Sequence, residues 1–228
     1  MSLFSPKMKL ADLIGINHNL ILLLPRFGIP LGFGEKSVHE VCEKYGVNDD
    51  FLILVFNVYS FDDFQPDMET LANTDMSMLL PYLLASHQYY TNERLPHIEA
   101  HLHHIANKTE ERYGKILKQF YSDFRHEISN HFEYEEKFFF PLLKSFDTSN
   151  LDLSSFDEDP DEVHTGIVDK LDDLTQIVYK YLPGNVMPEE TMELVFDILQ
   201  LSSDIRKHAM IEEKILLPCL EMMERRKN

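Results

Sequence analysis

Apolar residues recur about every three to four positions over long stretches of this chain, the spacing of a helix that buries one face. Four such stretches are predicted, near Met76–Ala106, Glu110–Ser145, Asp161–Leu182 and Pro188–Arg226. An acidic loop around Asp147–Pro160 and a Pro183-Gly184-Asn185 turn separate the later ones. Short connections make neighbouring helices antiparallel. The expected fold is all-α, an antiparallel up-down four-helix bundle over residues 76–228.

Before the bundle the pattern is shorter and broken. An apolar helical stretch from Leu10 to Leu24 stops at Pro25, and a glycine-rich turn follows over Phe27–Gly34. Ser37 with Glu40 three residues on reads as a capping box. Gly46 suits that helix's end, and Asn48 or Asp49 suits the start of one more helix to Tyr59. A small helical domain is therefore expected over residues 1–60, joined by a linker over 61–75 that is rich in Asp, Asn and Thr.

Two helices carry a repeat. One reads His131-Phe-Glu-Tyr-Glu135-Glu136-Lys137-Phe-Phe-Phe-Pro141-Leu-Leu143, the other His208-Ala-Met-Ile-Glu212-Glu213-Lys214-Ile-Leu-Leu-Pro218-Cys-Leu220. Residues four apart stack on one helix face. His131 with Glu135, and His208 with Glu212, thus each aim an imidazole and a carboxylate at one point. A single His-x-x-x-Glu pair is more often a surface contact than a ligand set. Two copies embedded in apolar runs, with matching prolines, favour ligands. Mixed nitrogen and oxygen donors inside a bundle suit iron, manganese or zinc. Glu136, Lys137, Glu213 and Lys214 fall off the ligand face and read as solvated or as outer partners.

The repeats lie in the C-terminal halves of the second and fourth helices, which run the same way. The first and third helices run opposite and must offer ligands near their own starts. His164 lies at the start of the third. Of the histidines at 87, 97, 101, 103 and 104 in the first, only His87 is near the start, and the others lie deeper at about 5.4 Å per turn. His97, His101 and His104 read as ordinary helix-face residues, with a secondary metal or access role for one of them as the lesser alternative, and His18, His39 and His126 read as structural. The candidate metal ligands are His87, His131, Glu135, His164, His208 and Glu212. Six ligands suit two ions that share two bridging carboxylates, with room for a bridging oxygen, better than one ion.

Composition narrows the partners. The chain is 44% hydrophobic and 26% charged, ordinary for a soluble globular protein, but its net charge is −18. Such a surface repels nucleic-acid phosphates and anionic lipid headgroups, so neither nucleic acid nor membrane is an expected partner. Two cysteines, Cys42 and Cys219, make neither a disulfide framework nor a four-thiolate metal site. No signal-peptide pattern is read near the start, and the apolar run Leu20–Leu24 is too short to span a bilayer. The cytoplasm is the expected compartment, and the oligomeric state is left open.

These motifs resemble the hemerythrin-like, histidine- and glutamate-rich cation-binding domain, and within it the di-iron family that repairs iron–sulfur clusters. The resemblance rests on His87 shortly before Leu95-Pro96, His131-x-x-x-Glu135-Glu136, the lone His164 and His208-x-x-x-Glu212. It covers nearly the whole chain, including the small leading domain. It implies two non-haem iron ions, carboxylate-bridged, with an oxo or hydroxo bridge. It implies a stress role, in which iron–sulfur clusters damaged by nitric oxide or oxidants are protected or rebuilt. Oxygen-carrying hemerythrins have a further histidine where this chain has Val168. Well-known repair members carry a Cys-Cys pair where this chain has Leu31-Gly32-Phe33-Gly34. The second function held open is a module that binds or senses oxygen, nitric oxide or redox state. The expected partners are accordingly damaged iron–sulfur proteins, or small molecules such as NO or O2.

Overall fold

The computed structural model describes residues 3–145, 160–181 and 188–225. The acidic loop and the Pro183-Gly184-Asn185 turn lie outside them, apart from Pro160. The chain is all-α, with no strand among the described residues and one isolated bridge between Lys9 and Ser37. It divides into two compact units, residues 1–86 with 142–151 and 207–228, and residues 87–141 with 152–206.

In the first unit, α1 (Leu10–Ile16), α2 (Val38–Tyr45), α3 (Asp49–Ser60) and α4 (Met68–Asn73) are short. Each of α2, α3 and α4 is started by a side chain that accepts from an otherwise unpaired backbone N–H. Ser37 and Glu40 form the reciprocal box of α2, Asn48 accepts from Phe51 N, and Asp67 accepts from Thr70 N. Gly46 closes α2 at φ 68°, a left-handed conformation that costs other residues dearly. Helix α3 buries every residue from Phe51 to Tyr59, which makes it the centre of this unit's core.

Two expectations are corrected here. The stretch Leu10–Leu24 is not one helix: α1 ends at Ile16, and two 3-10 turns follow, His18–Leu22 and Leu24–Phe27. Asn17 ends the helix by folding its side chain onto Asn19 N at 3.1 Å. The stretch read as linker contains α4, and the first stretch read as bundle helix opens with the 3-10 turn Met76–Met78. The same Asp, Asn and Thr residues that suggest a linker also act as helix caps.

The second unit is a bundle built from parts of four helical segments. The first comprises α5 (Leu79–Tyr89), a π turn at Tyr90–Arg94 and α6 (Leu95–Lys108). The others are α7 (Glu111–Phe138), α9 (Pro160–Tyr181) and α10 (Pro188–Ile211), with the short α8 (Phe140–Ser145) after α7. Side-chain pairs set the directions. Lys118 meets Asn107 and Arg125 meets Glu99, so α6 and α7 are antiparallel. His131 meets His164 and Lys170 meets Glu127, so α7 and α9 are antiparallel. Lys108 meets Glu190 and Arg94 meets Asp197, so α6 and α10 are antiparallel. The core between them includes Tyr90, Leu102, Tyr121, Phe124, Ile128, Phe132, Leu171, Leu194 and Ile198.

The prolines explain where helices change pitch. Proline lacks an N–H and crowds the carbonyl four residues back. Before Leu95-Pro96 the chain widens into the π turn Tyr90–Arg94, and before Leu217-Pro218 into the π turn Glu212–Leu216, which leads to α11 (Leu217–Arg225). Before Pro141 the α7 helix stops at Phe138. Such turns absorb the missing bond and concentrate at functional sites.

Candidate metal centre

Helix α7 buries a face that includes Phe124, Ile128, His131, Phe132 and Glu135. Its i, i+4 geometry brings His131 Nε2 to 3.1 Å from Glu135 Oε1. From α9, His164 Nε2 comes to 2.8 Å from His131 Nε2 and 3.4 Å from Glu135 Oε1. From α5, His87 Nε2 lies 3.3 Å from Glu135 Oε2, the other oxygen of the same carboxylate. All four side chains are buried. One carboxylate therefore gathers three imidazoles from three helical segments.

Aromatic packing and a second carboxylate hold His87 in place. Its ring stacks on Phe132, with centroids 4.1 Å apart, and on Phe140 at 5.1 Å. Its Nδ1 is 3.0 Å from Glu136 Oε1. A carboxylate at Nδ1 takes that nitrogen's proton as a hydrogen bond and leaves Nε2 with its lone pair, the tautomer a metal needs.

Hydrogen bonding alone describes this cluster poorly. Two imidazole nitrogens 2.8 Å apart can share only one proton, and His131 Nδ1 has no hydrogen-bond partner among the described residues. A cation with bonds of about 2.1 Å spaces neighbouring donors by about 3.0 Å when octahedral and about 3.4 Å when tetrahedral. The observed 2.8, 3.1 and 3.4 Å separations fall around those edges. The donor set of neutral imidazoles and a carboxylate also fits iron, manganese or zinc. The residues present fit a bound cation. Without one, burial pushes the Glu135 carboxyl upward, but hydrogen bonds from His131, His164 and His87 outweigh it and hold the group well below its ordinary value.

The other repeat lies in the first unit. His208 Nε2 is 3.2 Å from Glu212 Oε1, and both residues are buried. Glu212 opens the π turn. Lys214, read from sequence as off the ligand face, is buried in this unit, where its Nζ donates to the carbonyls of Asp62 and Phe64. Its counterpart Lys137 is exposed on the continuous α7 helix. The widened turn changes the angular phase of the helix, and Lys214 is turned inward.

The remaining histidines sort by neighbour. His39 Nδ1 is 2.6 Å from Asp49, and His126 is 3.2 Å from Asn130, both at exposed positions. His18 and His103 are exposed. His97 and His101 both face Asp197, and His104 faces Glu190. In the sequence these three stand on an ordinary helix face, because their acidic partners lie on a helix far along the chain.

The model of the hemerythrin HHE cation-binding domain matches residues 81–220. No curated protein matches the chain. No helix among the described residues is long and apolar enough to cross a membrane.

Proposed function

The chain belongs to the hemerythrin HHE cation-binding family, and from that premise we propose that it is a non-haem di-iron protein. The proposed ligands are His87, His131, Glu135, His164, His208 and Glu212, with Glu135 and Glu212 as bridges. The observation that carries this reading is the convergence of His87, His131 and His164 on the two oxygens of Glu135. A bridging carboxylate needs donors beside both oxygens, and Glu135 has them. The sequence repeat supplies the other half, since His208 and Glu212 stand at the offsets of His131 and Glu135.

When bound, such a pair supplies redox-active sites for NO or O2. The chain's own residues set the conditions. Glu136 orients His87, while Phe132, itself stacked on Tyr90, and Phe140 cover its ring. The carboxylates offset the charge of the cations.

The biological role we propose is protection or repair of iron–sulfur clusters damaged by nitric oxide or oxidative stress, with damaged iron–sulfur proteins as clients. It is supported by the resemblance of the six-ligand pattern, lacking a histidine at Val168, to the repair type. One observation favours a second reading, an oxygen-, NO- or redox-sensing module. The glycine turn Leu31-Gly32-Phe33-Gly34 holds no thiol, and burial pushes the Cys42 thiol up to about 12, which leaves it inert. The test is an iron–sulfur hydro-lyase inactivated by nitric oxide. Iron-loaded protein should restore its activity, and Glu135→Ala protein should not. Failure by fully loaded protein, combined with reversible NO binding, would favour the sensor.

A further inference from the structure

We propose that His97, His101 and Asp197 form a second, surface cation site for a divalent ion of the zinc class, separate from the buried centre. Helix α6 sets His97 and His101 one turn apart on one face, and α10 sets Asp197 opposite. Asp197 Oδ2 lies 3.1 Å from His97 Nε2 and 3.4 Å from His101 Nδ1. All three donor atoms fall within 4.8 Å of one another. Bonds of about 2.0–2.1 Å at a tetrahedral ion place ligands about 3.3–3.4 Å apart, close to what is observed.

The surroundings orient the donors. Arg94 Nη2 donates to Asp197 Oδ1 at 3.1 Å and to the Asp197 carbonyl at 3.4 Å. It thereby fixes the carboxylate with Oδ2 turned to the imidazoles. His101 Nε2, the ring nitrogen away from the proposed ion, is 3.9 Å from the Glu193 carboxylate. At that distance Glu193 adds a negative charge beside the ring without a hydrogen bond to its Nε2. Burial works against charge on Asp197, yet hydrogen bonds from Arg94 and His101 hold its carboxyl below the ordinary value.

Two imidazoles and one carboxylate, with an open position toward solvent, suit Zn2+, Co2+ or Cu2+ rather than Mg2+ or Ca2+, which prefer all-oxygen shells. The guanidinium of Arg94 opposes a cation at short range. That charge is already paired with Asp197, and nearby Glu193 adds a negative charge. The ion would tie α6 to α10, and the exposed side of His97 leaves it open to exchange.

The test titrates Co2+, then Zn2+, into the full iron-loaded chain and into His97→Ala, His101→Ala and Asp197→Asn variants. Wild-type protein should take up one additional Co2+ with the intense visible bands of a tetrahedral site, and Zn2+ should displace it. Each variant should bind that ion at least tenfold more weakly while its iron content stays at the wild-type level. Zn2+ should also raise the melting temperature of wild-type protein but not of His101→Ala. His97→Ala, at the most exposed ligand, guards against misfolding as the cause. No uptake beyond iron in wild-type protein, or equal uptake in wild-type protein and all three variants, would overturn the site.

Discussion

Glu136 offers a direct way to probe His87 without touching a proposed ligand. Its Oε1 accepts from His87 Nδ1 at 3.0 Å and fixes the ring so that Nε2 faces Glu135. Loss of such an outer partner commonly weakens metal binding by about 10–100-fold, or about 1.4–2.7 kcal/mol. Here the lower end is expected. The Glu136 side chain is 43% exposed, so water can take over part of its role. The stacking of His87 on Phe132 and Phe140 also holds the ring plane after the carboxylate is gone. Glu136→Ala should therefore weaken the more loosely held iron by about tenfold. Glu136→Gln keeps an acceptor oxygen and should lose less. Competition against a chromophoric chelator measures both. Wild-type affinity for both irons in Glu136→Ala would refute the role of Glu136 in holding His87.

Glu135→Ala should lose both irons, since one bridge serves both, and inductively coupled plasma analysis of the purified variant checks it. Iron retention should fall at acid pH, because a protonated imidazole can no longer coordinate; iron still bound at about pH 4 would argue against a four-histidine site. In metal-free protein the depressed Glu135 carboxyl stabilises the fold above its ordinary value of 4.5, and that contribution disappears as pH falls through the lower folded value. Acid melts should show this loss in wild-type protein and a flatter profile in Glu135→Ala. Gly114→Ala pits a helix-propensity gain of about 1 kcal/mol against overpacking of about 1–3 kcal/mol. The added Cβ would lie 2.5 Å from the Ala106 carbonyl oxygen, a rigid backbone atom, so the clash should win and the melting temperature should fall by a few degrees.

Local signals carried much of the fold into the sequence. Ser37 with Glu40, Gly46 and Asn48 mark helix ends because each acts on backbone groups within a few residues. The long amphipathic stretches name their buried faces, which is why the His131–Glu135 and His208–Glu212 faces were legible. The π turns were not. Widening one turn changes no local composition, so the interruption at Tyr90–Arg94 and the inward turn of Lys214 depend on how the prolines are accommodated in three dimensions. The helix 10–24 failed for a related reason, since Asn17 can cap a new turn as readily as continue the old one. Long-range pairing was the other gap. Nothing near His87 announces Glu136, and nothing near His97 announces Asp197, because those contacts depend on the register of antiparallel helices.

The most direct test of the di-iron assignment is the iron content of the freshly purified chain, read together with its near-ultraviolet absorption. The account predicts about two irons per chain with a charge-transfer band, and less than about one tenth of that iron in Glu135→Ala and Glu212→Ala protein. Substoichiometric iron in wild-type protein supplied with excess ferrous iron, or full iron in either glutamate variant, would contradict it.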